Sequence, residues 1–224
     1  MRPDGKKVII GILSICLFIQ PIYGSGNVLY EAKSEQKCTK LDWDKLMLAV
    51  KNYDSNPAED KARAILEIIP ETMPDKQTGN DDRALEYILD RSPRFLEKVE
   101  SGDEYLAEAA FRLYFIVLPG GALHDLGVSL SRMLVKRPDL YLRLLKKYKP
   151  QFPSYLDYPL TYVTYNDLVP DERYEIQEIM DQYRIKIYKQ RLKALQMVND
   201  PEYLDLRDEC ISILEKELKR RIKK

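Results

Sequence analysis

Residues 85–96 read LEYILDRSPRFL, and residues 130–141, one period of 45 positions later, read LSRMLVKRPDLY. In each segment apolar residues recur at three- and four-residue intervals, which is the spacing of one face of an α-helix. A proline near the end of each segment, Pro93 or Pro138, ends that helix and starts another at an angle to it. The pattern predicts pairs of short helices and, with them, an all-α fold. Aligning the prolines matches five apolar pairs: Leu85 with Leu130, Ile88 with Met133, Leu89 with Leu134, Phe95 with Leu140, and Val99 with Leu144.

The 45-residue period resembles that of two-helix solenoid repeats of the HEAT and armadillo kind. In such repeats each helix pair buries its apolar face against the next pair, so that the chain grows as a stack. Two copies that share one proline also arise in helical proteins that are not repeats. The sequence therefore predicts either a short HEAT-like α-solenoid stack of about eight to nine helices or an irregular helical bundle of the same size.

Helix-start residues extend this prediction to the rest of the chain. A capping residue precedes a proline at Asn56, Ser92 and Asp200, and proline is favoured at the first position of a helix. These signals and the apolar spacing predict one helical domain, residues 41–224. Its helices are predicted at 41–53, 57–69, 81–91, 93–101, 103–118, 122–136, 138–148, 171–198 and 201–222. The helix 171–198 is expected to bury a stripe of Ile176, Ile179, Met180, Tyr183, Ile187, Leu192 and Leu195.

The N-terminus has the pattern of a secretory signal peptide, residues 1–24. Basic residues precede the uncharged run 8–19, and the small residues Gly24 and Ser25 follow where a peptidase would cut. We therefore expect an exported protein, periplasmic or secreted, in which residues 25–40 form a polar N-terminal tail. The alternative is an uncleaved segment that holds the chain to the membrane by its N-terminus.

Charge and cysteine content set further limits. The whole chain has 36 basic and 36 acidic residues, and this balance argues against nucleic acid as a partner. Cleavage would leave Cys38 and Cys210 as the only cysteines, and an oxidising compartment favours a disulfide between them. Two separate buried thiols are the alternative.

The C-terminal run, residues 216–224, has six basic residues. Cations at a helix C-terminus complement the helix dipole, which is the simplest explanation of this run. The same residues could also make a weak contact with an anionic membrane surface, as basic amphipathic helices do.

Catalytic motifs are missing from the sequence. His124 is the only histidine, so neither a two-histidine zinc motif nor a metal-dependent phosphohydrolase site can be assembled. There is no G-x-S-x-G turn and no phosphate-binding glycine loop. The sequence accordingly predicts no catalytic residue, no cofactor and no metal site. Acidic residues do cluster around one turn, at Glu97, Glu100, Asp103 and Glu104.

The segment 149–170 interrupts the helical pattern with four prolines and five aromatic residues. Loops of this length in a compact domain are commonly functional, and tyrosine is favoured at interfaces. We expect an ordered loop with a short helix near residue 158, and a partner-binding site formed by Phe152, Tyr155, Tyr158, Tyr162 and Tyr165.

The function predicted from these observations is that of an exported helical interaction module, such as an adaptor, an inhibitor or an immunity-type binder. Its partner would be another envelope or secreted protein or peptide. Two alternatives stay open. One is an envelope enzyme that acts on glycan with paired carboxylates, and the other is a binder of an apolar ligand in a cavity between helices.

Overall fold

Helices account for all of the regular structure in the residues that the computed structural model describes, which are 41–72, 79–117, 120–151, 159–163 and 176–222. Side chains in the last of these ranges are described from residue 180 onward. All of these residues belong to one compact unit, residues 37–224, and the predicted signal peptide and tail, residues 1–40, lie outside the described ranges. The α-helices are α1 (Trp43–Ser55), α2 (Glu59–Ile68), α3 (Asp82–Glu86), α4 (Phe95–Ser101), α5 (Glu104–Ile116), α6 (Gly121–Lys136), α7 (Pro138–Tyr148), α8 (Ile176–Gln196) and α9 (Leu204–Ile222).

The predicted all-α fold is confirmed over these ranges. Short tighter or wider turns join some of the helices: a π-helical turn at Tyr87–Arg91 continues α3, a 3-10 turn at Lys149–Gln151 follows α7, and another at Pro201–Tyr203 precedes α9. None of the helices in the described part of the chain is long and apolar enough to cross a membrane.

Side-chain caps fix several helix starts. Asp42, Asp81 and Asp103 each accept a hydrogen bond from the backbone N–H three residues later, at 2.9–3.1 Å. The predicted cap at Asp200 is confirmed by a hydrogen bond from the N–H of Glu202. Ser92 accepts a hydrogen bond from the N–H of Phe95, but it ends the π-helical turn, and α4 begins after Arg94 without a side-chain cap. The predicted cap at Asn56 is wrong: Asn56 ends α1, and α2 begins after Ala58 without a side-chain cap.

Helix α5 lies at the centre of the bundle. It packs against α2, α4, α6 and α7, and apolar residues are buried around most of it, apart from a narrow polar stripe that includes Glu108 and Arg112. A helix with so wide an apolar surface needs several neighbours to bury it. Helices α8 and α9 pack on each other, and they reach this centre through α6 and α7 respectively.

The similarity between residues 85–96 and 130–141 predicts which positions are buried, but the two segments form helices of different lengths. All ten residues of the five matched pairs are 8% exposed or less. The first copy, however, has the five-residue α3, the π-helical turn and the seven-residue α4, whereas the second has α6 and α7 with 16 and 11 residues. The described helices are therefore best called an irregular bundle.

Candidate functional site

The short segment 159–163 is the part of the aromatic region that the structure describes, and it lies against α6 and α8. Residues 159–163 form a turn rather than a helix. Leu160 is fully buried, and Val163 is 7% exposed. The hydroxyl of Tyr188, on α8, donates to the carbonyl oxygen of Thr161 at 3.0 Å. The segment is thus held by its backbone as well as by its apolar side chains.

Arg191 of α8 does most to hold this backbone. Its guanidinium donates to the carbonyl oxygens of Leu160 and Tyr162, the latter at 2.7 Å, and to the hydroxyl oxygen of Ser131 at 2.7 Å. The side chain is 2% exposed, and burial lowers the pKa of Arg191 to about 10. Within the described ranges no carboxylate forms an ion pair with it. A buried guanidinium that binds only neutral oxygens is costly to desolvate, so its hydrogen bonds define the position of the segment strictly.

Tyr162 stands between α6 and the solvent. Its ring packs edge-on against Tyr114 and His124, with centroid distances of 6.1 and 5.4 Å. It also covers Gly127, where an added Cβ would lie 2.6 Å from the ring. The side chain is half-buried, and its hydroxyl forms no hydrogen bond with any residue in the described ranges. The Tyr162 ring is therefore fixed on α6 by contacts with Tyr114, His124 and Gly127.

Two open clefts meet at Tyr162 and Val163. The α8–α9 cleft has a volume of about 420 Å³ and is bounded by the first turn of α6, the segment 159–163, α8 and α9. The α6–α8 cleft has a volume of about 220 Å³ and is bounded by α4, α6, the same segment and α8. The clefts are neighbours because both use the same short segment as a wall.

Ion pairs organise the α8–α9 cleft. Arg221 donates to Asp181 at 2.7 Å and lies 3.8 Å from Glu217, while Arg184 lies 3.6 Å from Asp181. Arg184 and Arg221 are recessed, with 18% and 13% of their side chains exposed. Burial alone would lower the pKa of Arg221, but the hydrogen bond to Asp181 together with the interactions with Tyr188 outweighs burial and raises this pKa, so the guanidinium is a permanent cation.

No family model matches the chain, and neither the curated proteins nor the solved structures contain a match to it. The interpretation of the site therefore rests on its geometry and chemistry.

Of the five residues predicted to bind a partner, Tyr162 lies at this site. Phe152, Tyr155, Tyr158 and Tyr165 lie outside the described residues, so their part in the site stays a prediction. In the sequence, Tyr158 directly precedes the segment 159–163, and Tyr165 lies two residues after its end.

The cationic residues of the clefts were not predicted. The expected buried stripe of α8 is partly wrong, because Ile187 and Leu192 are only half-buried whereas Tyr188 and Arg191 are buried. For the basic C-terminal run the sequence predicts a complement to the helix dipole or a membrane contact, and both stay predictions. Its exposed members Lys216 and Arg220 line the α8–α9 cleft, together with Arg221.

The acidic cluster has structural partners. Glu100 accepts hydrogen bonds from Arg132 and Ser129, Asp103 caps α5, and Glu104 pairs with Arg143. These contacts give Glu100, Asp103 and Glu104 structural roles in the bundle. Burial does raise the pKa of Asp125, but this residue lies on α6 outside the cluster.

Cys210 is a free thiol in the core, with no exposed surface, and burial raises its pKa to about 12. Its predicted disulfide partner Cys38 lies outside the described residues, so the pairing stays a prediction. In the described ranges no group of three or more His, Cys, Asp or Glu side chains could hold a metal ion.

Proposed function

We propose that this protein is an exported helical interaction module that binds another envelope or secreted protein, or a peptide, at the two clefts beside Tyr162. The observation that carries the proposal is the position of Tyr162, a half-buried aromatic residue at the junction of two open clefts, whose hydroxyl bonds to none of the described residues. Tyrosine is enriched at the centres of protein interfaces, where its ring supplies contact area and its hydroxyl supplies a hydrogen bond.

The rigidity of the segment 159–163 supports the same role. Its carbonyl oxygens accept hydrogen bonds from Arg191 and Tyr188. The ring of Tyr162 packs on α6 at Gly127. A surface that is already ordered loses little conformational entropy when a partner binds. The segment can therefore act as a fixed ridge between two clefts that receive the partner's side chains.

The test compares two tyrosine variants. Immobilised wild-type protein, Tyr162→Ala and Tyr203→Ala would each be used to capture proteins from the envelope fraction. Tyr203 is a matched control because it is also half-buried but packs beside Lys146, away from both clefts. Truncation of a central interface tyrosine costs about 2 kcal/mol or more, which is roughly a thirtyfold loss of affinity.

We expect a partner that is retained by the wild type and by Tyr203→Ala and lost from Tyr162→Ala. Thermal unfolding of all three proteins would confirm that they are folded at the capture temperature. Equal recovery of every captured protein by Tyr162→Ala and Tyr203→Ala would contradict the proposed site.

A further inference from the structure

Charge is distributed unevenly around Tyr162. The whole chain is neutral, with 36 basic and 36 acidic residues. Among the described residues, in contrast, the α8–α9 cleft is lined by four cationic side chains and one carboxylate, Glu217. The described lining of the α6–α8 cleft has three cationic side chains and one carboxylate, Glu100. The cationic residues of the two clefts are Arg184, Lys216, Arg220 and Arg221 in the first, and Arg132, Lys136 and Arg191 in the second.

Internal ion pairs neutralise only part of this charge. Asp181 and Glu217 compensate Arg184, Arg220 and Arg221, and Glu100 compensates Arg132. Three cations remain without a carboxylate partner in the described ranges: Lys216, Lys136 and the buried Arg191. One of them lies in the α8–α9 cleft and two lie in the α6–α8 cleft, so both sides of Tyr162 carry uncompensated positive charge.

We propose that the two clefts bind an acidic polypeptide segment, with its carboxylate side chains in the clefts and its backbone across Tyr162. This inference rests on the proposed function and specifies the chemistry of the partner. The ammonium groups of Lys136 and Lys216 are exposed and can each bind a carboxylate oxygen of the partner. The exposed lysines at the cleft edges add long-range attraction and speed the encounter with an acidic partner.

The shape of the site favours a polypeptide over an anionic membrane. Arg191 is 2% exposed and Arg221 is 13% exposed, so neither can reach lipid headgroups on a flat bilayer surface. Volumes of about 420 and 220 Å³ suit individual side chains. A membrane-bound helix would instead present its cations on an exposed face, with apolar residues beside them.

The experiment uses fluorescein-labelled hexaglutamate as the probe and measures its anisotropy with the purified full-length protein at low ionic strength. The cleft variant is Lys136→Gln/Lys216→Gln, which removes one exposed lysine from each cleft. The control variant is Lys193→Gln/Lys219→Gln, which removes two exposed lysines that line neither cleft. Both variants have the same net charge, so a difference between them reports position rather than total charge.

We expect the cleft variant to bind hexaglutamate at least about fivefold more weakly than wild type, and the control variant to change by less than about twofold. Equal weakening by both variants, or no weakening by the cleft variant, would overturn the proposal. A second arm measures flotation with phosphatidylglycerol vesicles, and vesicle binding that depends on Lys136 and Lys216 without hexaglutamate binding would also overturn it.

The two proposals fail in different ways. Loss of a captured partner by Tyr162→Ala, combined with no position-dependent binding of hexaglutamate, would leave the interaction site in place and show that its partner is not acidic. Position-dependent binding of hexaglutamate, combined with unchanged capture by Tyr162→Ala, would show that the clefts bind acidic chains without Tyr162 at the centre.

Discussion

At the scale of single residues, the contact between Gly127 and Tyr162 decides how the segment 159–163 sits on α6. Gly127 lies inside a helix, where alanine is normally more stable than glycine by about 1 kcal/mol. A Cβ at this position would lie 2.6 Å from the Tyr162 ring. We therefore expect Gly127→Ala to lower the free energy of unfolding by about 1–3 kcal/mol, as overpacking does, measured by urea denaturation.

A double-mutant cycle tests whether the Tyr162 ring causes the loss of stability expected from Gly127→Ala. In a Tyr162→Ala background the ring is gone, so Gly127→Ala should become neutral or stabilising. Gly121→Ala is the control in the same helix, because no atom lies within 4 Å of an added Cβ there. A loss of stability from Gly127→Ala that persists without the ring would show that the segment does not pack on α6 in this way.

Tyr162 and Arg191 differ in how far the sequence predicts their place in the site. Tyr162 could be predicted because prolines and aromatic residues concentrate around it in a chain that is otherwise helical. Arg191 could not, because an arginine in a charged helix is expected at the surface. Its burial depends on carbonyl oxygens of Leu160 and Tyr162, and nothing in the local sequence of α8 indicates that those oxygens come within reach.

At the scale of helices, a group of polar side chains joins α2, α5 and α7. One carboxylate oxygen of Glu108 accepts hydrogen bonds from Tyr148 at 2.5 Å and from Lys147 and Arg112 at 2.9 Å. Arg112 also donates to the carbonyl oxygen of Ile69, just after α2 ends, at 2.9 Å. Burial alone would raise the pKa of Glu108, but these donors outweigh it and lower the pKa to about 2.

This lowered pKa predicts a loss of stability in acid. The ordinary pKa of the group is 4.5 and the folded-state value is about 2, so the contribution of Glu108 is fully present above about pH 4.5. It is lost as the pH falls from there through about 2. Allowing for solvent screening, we expect Glu108→Gln to cost about 2 kcal/mol at pH 7, and the difference from wild type should shrink steadily below pH 4.5.

Urea denaturation at several pH values measures this effect. Glu67→Gln is the matched control, because Glu67 is exposed on α2 and forms no ion pair with a described residue. That change should stay within about 0.5 kcal/mol of wild type at every pH. A Glu108→Gln penalty that does not depend on pH would show that the lost contacts, rather than the ionised carboxylate, carry the stabilisation.

Most helices could be predicted from the sequence because their signals are local. Caps at Asp42, Asp103 and Asp200 act within one turn of the residues that they bond. The π-helical turn after α3 could not be predicted in this way. There the N–H of Ser92 bonds to the carbonyl oxygen of Tyr87 at 2.7 Å, and the side chains of both residues bond to Asp54 on α1. Such a turn is stabilised by a distant helix, which a local pattern does not contain.

At the scale of the whole molecule, charge is placed unevenly among the described residues although the total is zero. The described lining of the clefts beside Tyr162 has more cations than carboxylates, whereas a cleft of about 600 Å³ beside α2, α5 and α7 has four carboxylates, Glu59, Asp103, Glu104 and Glu108, and two cations, Lys98 and Arg143. Net charge could be counted from the sequence, but its placement follows from which helices meet. An acidic partner would therefore be attracted to one side of the bundle and repelled by the other, which orients its approach.

Cys210 gives a measurement of the stability of the whole bundle. Its thiol has no exposed surface, and burial raises its pKa to about 12. The thiolate is the reactive form, so the raised pKa keeps the native thiol unreactive, and burial also keeps the alkylating reagent away from it. In a Cys16→Ser/Cys38→Ser variant, Cys210 is the only thiol. We expect iodoacetamide to label it at least about a hundredfold more slowly in buffer than in 6 M guanidinium, because labelling must wait for the bundle to open.

Labelling of the native variant as fast as that of the unfolded chain would show that α9 does not stay packed on its neighbours.

The same reagent tests the predicted disulfide when Cys38 is kept and only Cys16 is replaced. An oxidised pair leaves no reactive thiol after unfolding without reductant, whereas separate cysteines leave two. A bond between Cys38 and Cys210 would close a loop that contains most of the bundle, and the chain-entropy relation gives such a loop about 5 kcal/mol of stabilisation. The reductant should then lower the melting temperature of this chain and leave that of the Cys16→Ser/Cys38→Ser variant unchanged.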